Sequence, residues 1–220
     1  VKNKYPDLIV KYLPNKKNSG NVFKQWAKCF EVSTGDYLWI AEADDLCSKH
    51  FLNVIMQGFN DDSVVMSYAE SLAIDENGKV FKRDMRDWID MYHTGRWTHD
   101  YICDGKLEME EAMCTNNTIA NVSSLVFKKD SKIPVNEYLK EAQNYRLAGD
   151  WLFYTKYLLF GAVAYSCDSL NYHRIHRNSV TTTTDNFLRY KEVCSVQDSI
   201  HKDIVLSDEA LFRIEDTRSI

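Results

Sequence analysis

Residues 37 to 46 read YLWIAEADDL. An apolar run gives way to Glu42, Asp44 and Asp45, three carboxylates within four positions. Crowded like charges repel one another, and a divalent cation removes that repulsion. Hard oxygen donors suit Mg²⁺ or Mn²⁺, ions that keep coordination positions for water and phosphate. The stretch reads as a metal-plus-phosphate site. It reads equally well as acid charging the start of a following helix. Asp150 follows Gly149 and opens the run DWLFYTKYLLF. A carboxylate there is either a general base held at a helix start or an ordinary helix N-terminal charge. In YHRIHRNS, Arg174 and His176 alternate with Ile175. An extended chain would turn both to one face, where they could meet a diphosphate or simply meet water.

These groups need elements to hold them. Ile9–Leu13 alternates weakly as a short strand, ended by Pro14 and the loop NKKNSGN. Asn21 can cap a helix through Trp26, Ala27 and Phe30. Tyr37–Ala41 reads as a strand covered on both faces. Ser48 can cap a second helix with Leu52, Ile55, Met56 and Phe59 inward. Val64–Ala69 is a strand, and DENGK (Asp75–Lys79) is a hairpin-type turn. Residues 84–107 read as a long loop with some helix, and Leu107–Met113 as a short helix. Val122–Phe127 is a strand, Asp150–Phe160 an aromatic-rich helix closed by Gly161, and Ala162–Cys167 another strand. Residues 185–204 form a polar helix, followed by a loosely attached end. Strand, helix, strand, helix, strand argues for a parallel sheet covered by helices. In such sheets ligands bind beyond the carboxyl ends of the strands.

Composition narrows the classes. The 220 residues are 45% hydrophobic with a net charge of −5 and mixed signs along the chain. A nucleic-acid binder would carry a basic stripe, and none is visible. The longest apolar run, Tyr157–Ala164, is far too short to span a bilayer. The first residues, VKNKYPD, are polar and unlike a signal peptide. They begin with Val rather than Met, as expected of a processed or excised chain. Cys29, Cys47, Cys103, Cys114, Cys167 and Cys194 lack metal-type spacing and read as reduced thiols. The sequons at Asn116 and Asn121 arise as easily by chance as by design.

The pieces occur in an order that resembles family 2 glycosyltransferases, inverting enzymes of the GT-A fold. The matching text is NSGNVFKQWAKCFEVSTGDYLWIAEADD, then NVSSLVFKKD, then GDWLFYTKYLLFGAVAYSCDSLNYHRIHRNSVT. The resemblance implies an α/β, Rossmann-like fold, a nucleotide-diphospho sugar donor and a saccharide or lipid-linked acceptor. It implies polysaccharide biosynthesis for the cell envelope, in the cytoplasm and peripherally at the inner face of the membrane. The family's Asp-X-Asp motif falls on Glu42, Ala43 and Asp44, followed by Asp45. Glu in the first place is a departure and makes Asp44 the more direct ligand of Mn²⁺ or Mg²⁺, with Glu42 second. Asp45 falls to the donor side. Asp150 matches the catalytic base, and Arg174 and His176 the position beside the donor diphosphate. Asn18 and Gly20 match a loop near the nucleotide. The family's first βα unit has no counterpart here, which predicts a partial GT-A domain over 1–184, incomplete on its own, with an open sheet edge able to pair with another chain. Residues 84–114 would be its variable acceptor region, and 185–220 a helical tail.

Two rivals remain. A nucleotidyltransferase shares the scaffold but would bring a Gly-rich basic loop. A non-catalytic sugar- or partner-binding module could stack sugars on Trp88, Tyr92, Trp97 and Tyr101, although such residues more often pack a loop.

Overall fold

A computed structural model describes residues 11–82, 84–176 and 184–219. The first residues of the expected strand Ile9–Leu13 lie outside this set, as do Arg177 and the positions after it in YHRIHRNS; residues 11–13 form no strand. Among the described residues, strands β1 (Tyr37–Trp39), β2 (Leu46–Cys47), β3 (Val64–Ile74), β4 (Val80–Lys82), β5 (Tyr101–Cys103), β6 (Leu125–Lys128) and β7 (Ala162–Arg174) make one sheet. Its path is β1-β6-β3-β7-β2, with β4 added to β3 and β5 to β7.

The sheet is mixed rather than parallel. Only β3 and β7 pair in parallel among the described residues. β6 lies antiparallel between β1 and β3. The strand–helix–strand pattern still has its consequence, because two antiparallel steps leave β1, β3 and β7 pointing the same way. Their carboxyl ends share one edge of the sheet. The amino end of β6 lies at that edge too.

Alternation along the central strands separates two cores. Met66, Tyr68, Leu125, Phe127, Val163 and Tyr165 face one side, and Val64, Val126, Ala162 and Ala164 the other. The first side is covered by α1 (Phe23–Val32), α5 (Val135–Ala142) and α6 (Gly149–Leu158). Asn21 Oδ1 accepts from the Phe23 amide at 2.9 Å, and Phe23, Trp26 and Phe30 then bury one helical stripe. Phe30, Phe127, Phe153 and Tyr157 meet there edge-on or tilted, with centroids 5.1–6.3 Å apart. The second side is covered by α2 (Phe51–Ile55) and a 3₁₀ turn, Met56–Asn60. Its buried positions are Phe51, Ile55 and Phe59; Leu52, expected inside, is exposed.

Residues 84–107 are more ordered than a loop. They hold α3 (Arg86–Ile89), a 3₁₀ turn at Arg96–Thr98, strand β5 and the start of α4 (Gly105–Glu108). β5 is three residues long, too short to show a period of two. Trp97 is buried and donates to the Tyr68 hydroxyl, and the Tyr101 hydroxyl bonds Tyr68 and Glu108. Those two aromatics pack the fold, leaving Trp88 and Tyr92 at the surface. Glu108 is buried, and Arg96 neutralises it, as a buried charge requires.

The end of the chain is docked. Asp185 caps α7 (Asn186–Asp203), and Ser207 caps α8 (Asp208–Arg218). Val196, Ile200, Ala210 and Ile214 join the larger core. No described helix is long and apolar enough to cross a membrane.

Gly105 shows how tightly the insertion is seated. A Cβ there would lie 2.1 Å from the Leu158 carbonyl oxygen and 2.3 Å from that of Gly161. Both are backbone atoms closing α6, so neither can swing aside. Gly105→Ala should cost about 1–3 kcal/mol, as other overpacked sites do. Urea unfolding checks this, and an unchanged midpoint would contradict the packing.

Candidate functional site

The shared strand edge gathers the acids. β1 and β2 lie at opposite ends of the sheet path, so residues 40–45 carry the chain from one margin to the other across the strand ends. Glu42, Asp44 and Asp45 sit on that crossing, with one oxygen of each within 4.8 Å of the others.

The crossing is anchored by neighbours from β6 and β7. The Ser123 hydroxyl accepts from the Glu42 amide at 3.0 Å, and the Ser123 carbonyl accepts from Trp39 Nε1 at 2.9 Å. Asp45 Oδ1 accepts from the Arg174 amide at 2.8 Å and lies 3.5 Å from His173 Nδ1. Asp45 Oδ2 accepts from Asn121 Nδ2, and Asn121 Oδ1 in turn accepts from Asn171 at 2.7 Å. Burial works to raise the Asp45 carboxyl, but His173, the Arg174 amide and the Ser123 hydroxyl outweigh it and hold the group low. Asp45 therefore pins the segment and stays ionised.

Asp44 is the exposed member, and its Oδ2 lies 3.2 Å from His176 Nε2. Arg174 is turned to the backbone: Nε donates to the Asp44 carbonyl at 2.6 Å and Nη1 to the Asp75 carbonyl at 2.7 Å. It ties the acid segment to the β3–β4 turn. Glu42 bears the crowding. Burial, then the charges of Asp45 and Asp44, push it up to about 7, against a smaller pull from His173.

Asp150 arrives from α6. That helix precedes β7 and runs back against it, which brings its first turn to the same edge. Asp150 Oδ1 accepts from the Trp151 amide at 2.7 Å, and Oδ2 accepts from Asn117 at 3.3 Å. Burial raises its carboxyl to about 6, although the Trp151 amide and Asn117 favour the charged form. Asp150 adds to the charge acting on Glu42. Both carboxylates also act on the buried Tyr154 hydroxyl, one helical turn beyond Asp150. The two acidic features of the sequence are thus neighbours in space. The Asn18–Gly20 loop leads into α1: Asn18 Oδ1 accepts from the Gly20 amide at 2.9 Å, with Gly20 at φ +69°. Next to it, Asn21 Nδ2 donates to the Gln143 carbonyl at 3.1 Å. Phe23 then packs so closely on Gly149 that a Cβ there would lie 2.5 Å from its ring.

The residues that organise this site escaped the sequence reading. Asn121 stood out only as a sequon, whereas it is buried with its amide nitrogen bonded to Asp45. Asn117 and Ser123 fall inside the two sequons and His173 inside YHRIHRNS, with no site role of their own legible there. Their one signal is position: Asn121 and Ser123 sit just before β6, and His173 just before Arg174.

Residues 2–121 match the model of Glycosyl transferase family 2. The chain belongs to this family. The match covers the Asn18–Gly20 loop and the whole acidic segment; Asp150, Arg174 and His176 lie beyond it. The mixed sheet with helices on both faces is the family's α/β, GT-A arrangement. No curated protein matches the chain.

The electrostatics of these carboxyls carry a sign. Glu42 and Asp150 both sit above their ordinary values, so these two groups hold more protons in the folded chain than in the unfolded one between about pH 4 and pH 7. Their contribution to stability is full below the unfolded values and is lost as pH rises through the folded ones. In metal-free buffer, urea unfolding should show stability falling from pH 5 to pH 8 more steeply in the parent than in Glu42→Gln. Equal slopes would contradict the crowding.

Proposed function

We propose that this glycosyltransferase moves a hexose from a nucleotide-diphospho sugar to a hydroxyl of a saccharide or lipid-linked acceptor, inverting the anomeric centre. The observation that carries this reading is the pairing of two acidic groups at one sheet edge. One is a three-carboxylate cluster, and the other is a single carboxyl on a different element. A displacement from the face opposite the leaving group needs its base and its leaving-group support from separate parts of the chain.

The donor set suits a divalent cation. Three oxygens lie within 4.8 Å of one another, and Glu42 is raised by burial and then by the charges of Asp45 and Asp44, which His173 offsets only in part. Asp44 and Glu42 would hold Mn²⁺ or Mg²⁺, while Asp45 is engaged as the anchor. Such an ion, when bound, supplies Lewis-acid neutralisation of charge on a departing diphosphate. His176, beside Asp44, faces the same diphosphate, and Arg174 shapes the wall behind it. Asn18 and Gly20 form the rim where the nucleotide would lie.

Asp150 takes the proton of the acceptor hydroxyl. That oxygen forms the new bond to the anomeric carbon, the bond to the diphosphate breaks, and the nucleoside diphosphate leaves with the electron pair. A carboxyl raised to about 6 is a better base than an ordinary aspartate and is still ionised at neutral pH. Residues 84–114, which reach the first turn of α6 where the Met113 carbonyl accepts from the Trp151 indole, would supply the acceptor region, and residues 185–220 would brace the domain over 1–184. The reading places the enzyme in cell-envelope polysaccharide synthesis, at the cytoplasmic membrane face where lipid-linked acceptors lie.

Two substitutions test it. Asp44→Asn keeps the shape and removes a charged ligand, so Mn²⁺-dependent binding of donor should drop sharply by calorimetry; unchanged affinity would remove Asp44 from the metal site. Asp150→Asn should leave donor binding nearly intact and slow transfer by about 10²–10⁴-fold, the range of a general base. Survival of transfer with only a shifted melting temperature would make Asp150 a helix cap.

A further inference from the structure

Asp150 stands in the first turn of α6, a helix with no side-chain cap at its N-cap position. The N-cap residue, Ala148, offers no side-chain oxygen. The amides of Arg146, Leu147 and Ala148 are met from another helix. Glu192, on α7 and far from the family match, is buried. Its Oε1 accepts from the Arg146 amide at 2.7 Å. Its Oε2 accepts from the Leu147 and Ala148 amides at 2.7 and 2.9 Å. One carboxylate thus holds three consecutive amides, ending two residues before Asp150. The Tyr145 and Ser195 hydroxyls bond each other at 2.7 Å, closing the same junction one turn along α7. On the far side, Gly149 is wedged between the Phe23 ring and the Ala142 carbonyl. The Trp151 indole donates to the Met113 carbonyl at 3.0 Å. The backbone that carries Asp150 is fixed from three directions, and only the Glu192 contact is ionic.

A buried carboxylate is costly unless fully hydrogen-bonded. Three amide donors satisfy it, and such charge-assisted bonds are short and strong. A helix tail needed only for packing would bury an apolar side chain here, as α7 does with Val196 and Ile200.

Resting on the reading of Asp150 as the base, we infer that Glu192 is a positioning residue. It fixes the first turn of α6, so that the Asp150 carboxyl stands at the acceptor hydroxyl, and it makes the C-terminal helices part of the catalytic apparatus. Glu192 does not touch substrate, so its loss should act on the chemical step and not on donor capture.

The test is Glu192→Gln in the whole chain, with Glu192→Asp as a second variant and thermal melting recorded for each. Gln keeps the shape and one acceptor oxygen; Asp keeps the charge but falls short of the amides. Hydrogen exchange at the Arg146–Ala148 amides should quicken about 10-fold or more on loss of these charge-assisted bonds, with the central strands unchanged. Nucleoside diphosphate release from a panel of UDP-, GDP- and dTDP-hexoses with Mn²⁺ should show kcat down by about 10-fold or more, as for a misplaced catalytic group. The donor KM should stay within about two-fold of the parent. Unchanged exchange, or faster exchange with parental kcat, overturns the inference. Asp150→Asn separates the two claims. If it is inactive while Glu192→Gln turns over normally, the inference alone fails. If Asp150→Asn turns over normally, the base assignment fails and takes the inference with it.

Discussion

The architecture turns on a single topological demand. β1 lies at one end of the sheet path and β2 at the other, and only residues 40–45 join them. That short segment must cross the strand ends, and the sequence fills it with Glu42, Asp44 and Asp45. Charge is therefore carried over the place where a buried sheet would otherwise be capped by apolar or neutral groups. Repulsion among the three would push the segment outward. The Asp45 anchor opposes this through Asn121, His173 and the Arg174 amide. The division of labour follows from burial. Asp45 is held low by its donors, Glu42 is driven up by its burial and then by its acidic neighbours, and Asp44 stays in solvent.

The same demand explains why the site draws on the whole chain. Strands β1, β3 and β7 point one way, so their carboxyl ends meet. α6 runs back against β7, so its first turn meets them too. The GT-A sheet thereby places Asp150 beside Glu42 across more than a hundred residues of sequence. Glu192 extends the pattern, because a buried carboxylate on α7 holds the backbone that holds Asp150. The strain of the edge falls on Glu42: Asp45, Asp44 and Asp150 all add to the burial that raises it, and an added cation would relieve that repulsion.

Much of this was legible in the residues. An apolar run ending in three acids, a Gly-Asp helix start and an alternating Arg-Ile-His are local patterns, and the structure brings them to one edge. The GT-A class followed from their order. What sequence could not carry was pairing. β6 returns antiparallel between β1 and β3, and nothing in LVFK says which neighbours it takes. β5 is too short for periodicity. Leu52 fits a helical stripe, yet it faces water because the short helix gives way to a 3₁₀ turn that rotates the buried face onto Phe51, Ile55 and Phe59. Asn121, Ser123 and Glu192 are polar residues whose partners lie 44–81 positions away. Long-range satisfaction of buried polar groups leaves no local signature.

The central claim is that the crossing segment holds a divalent cation for the donor diphosphate. Anomalous diffraction from crystals soaked in Mn²⁺ reads this without any assumption about substrate. One Mn²⁺ peak bonded to Asp44 with Glu42 close by is expected, absent from Asp44→Asn crystals. A peak elsewhere on the chain, or no peak at the acid cluster under saturating Mn²⁺, would contradict it.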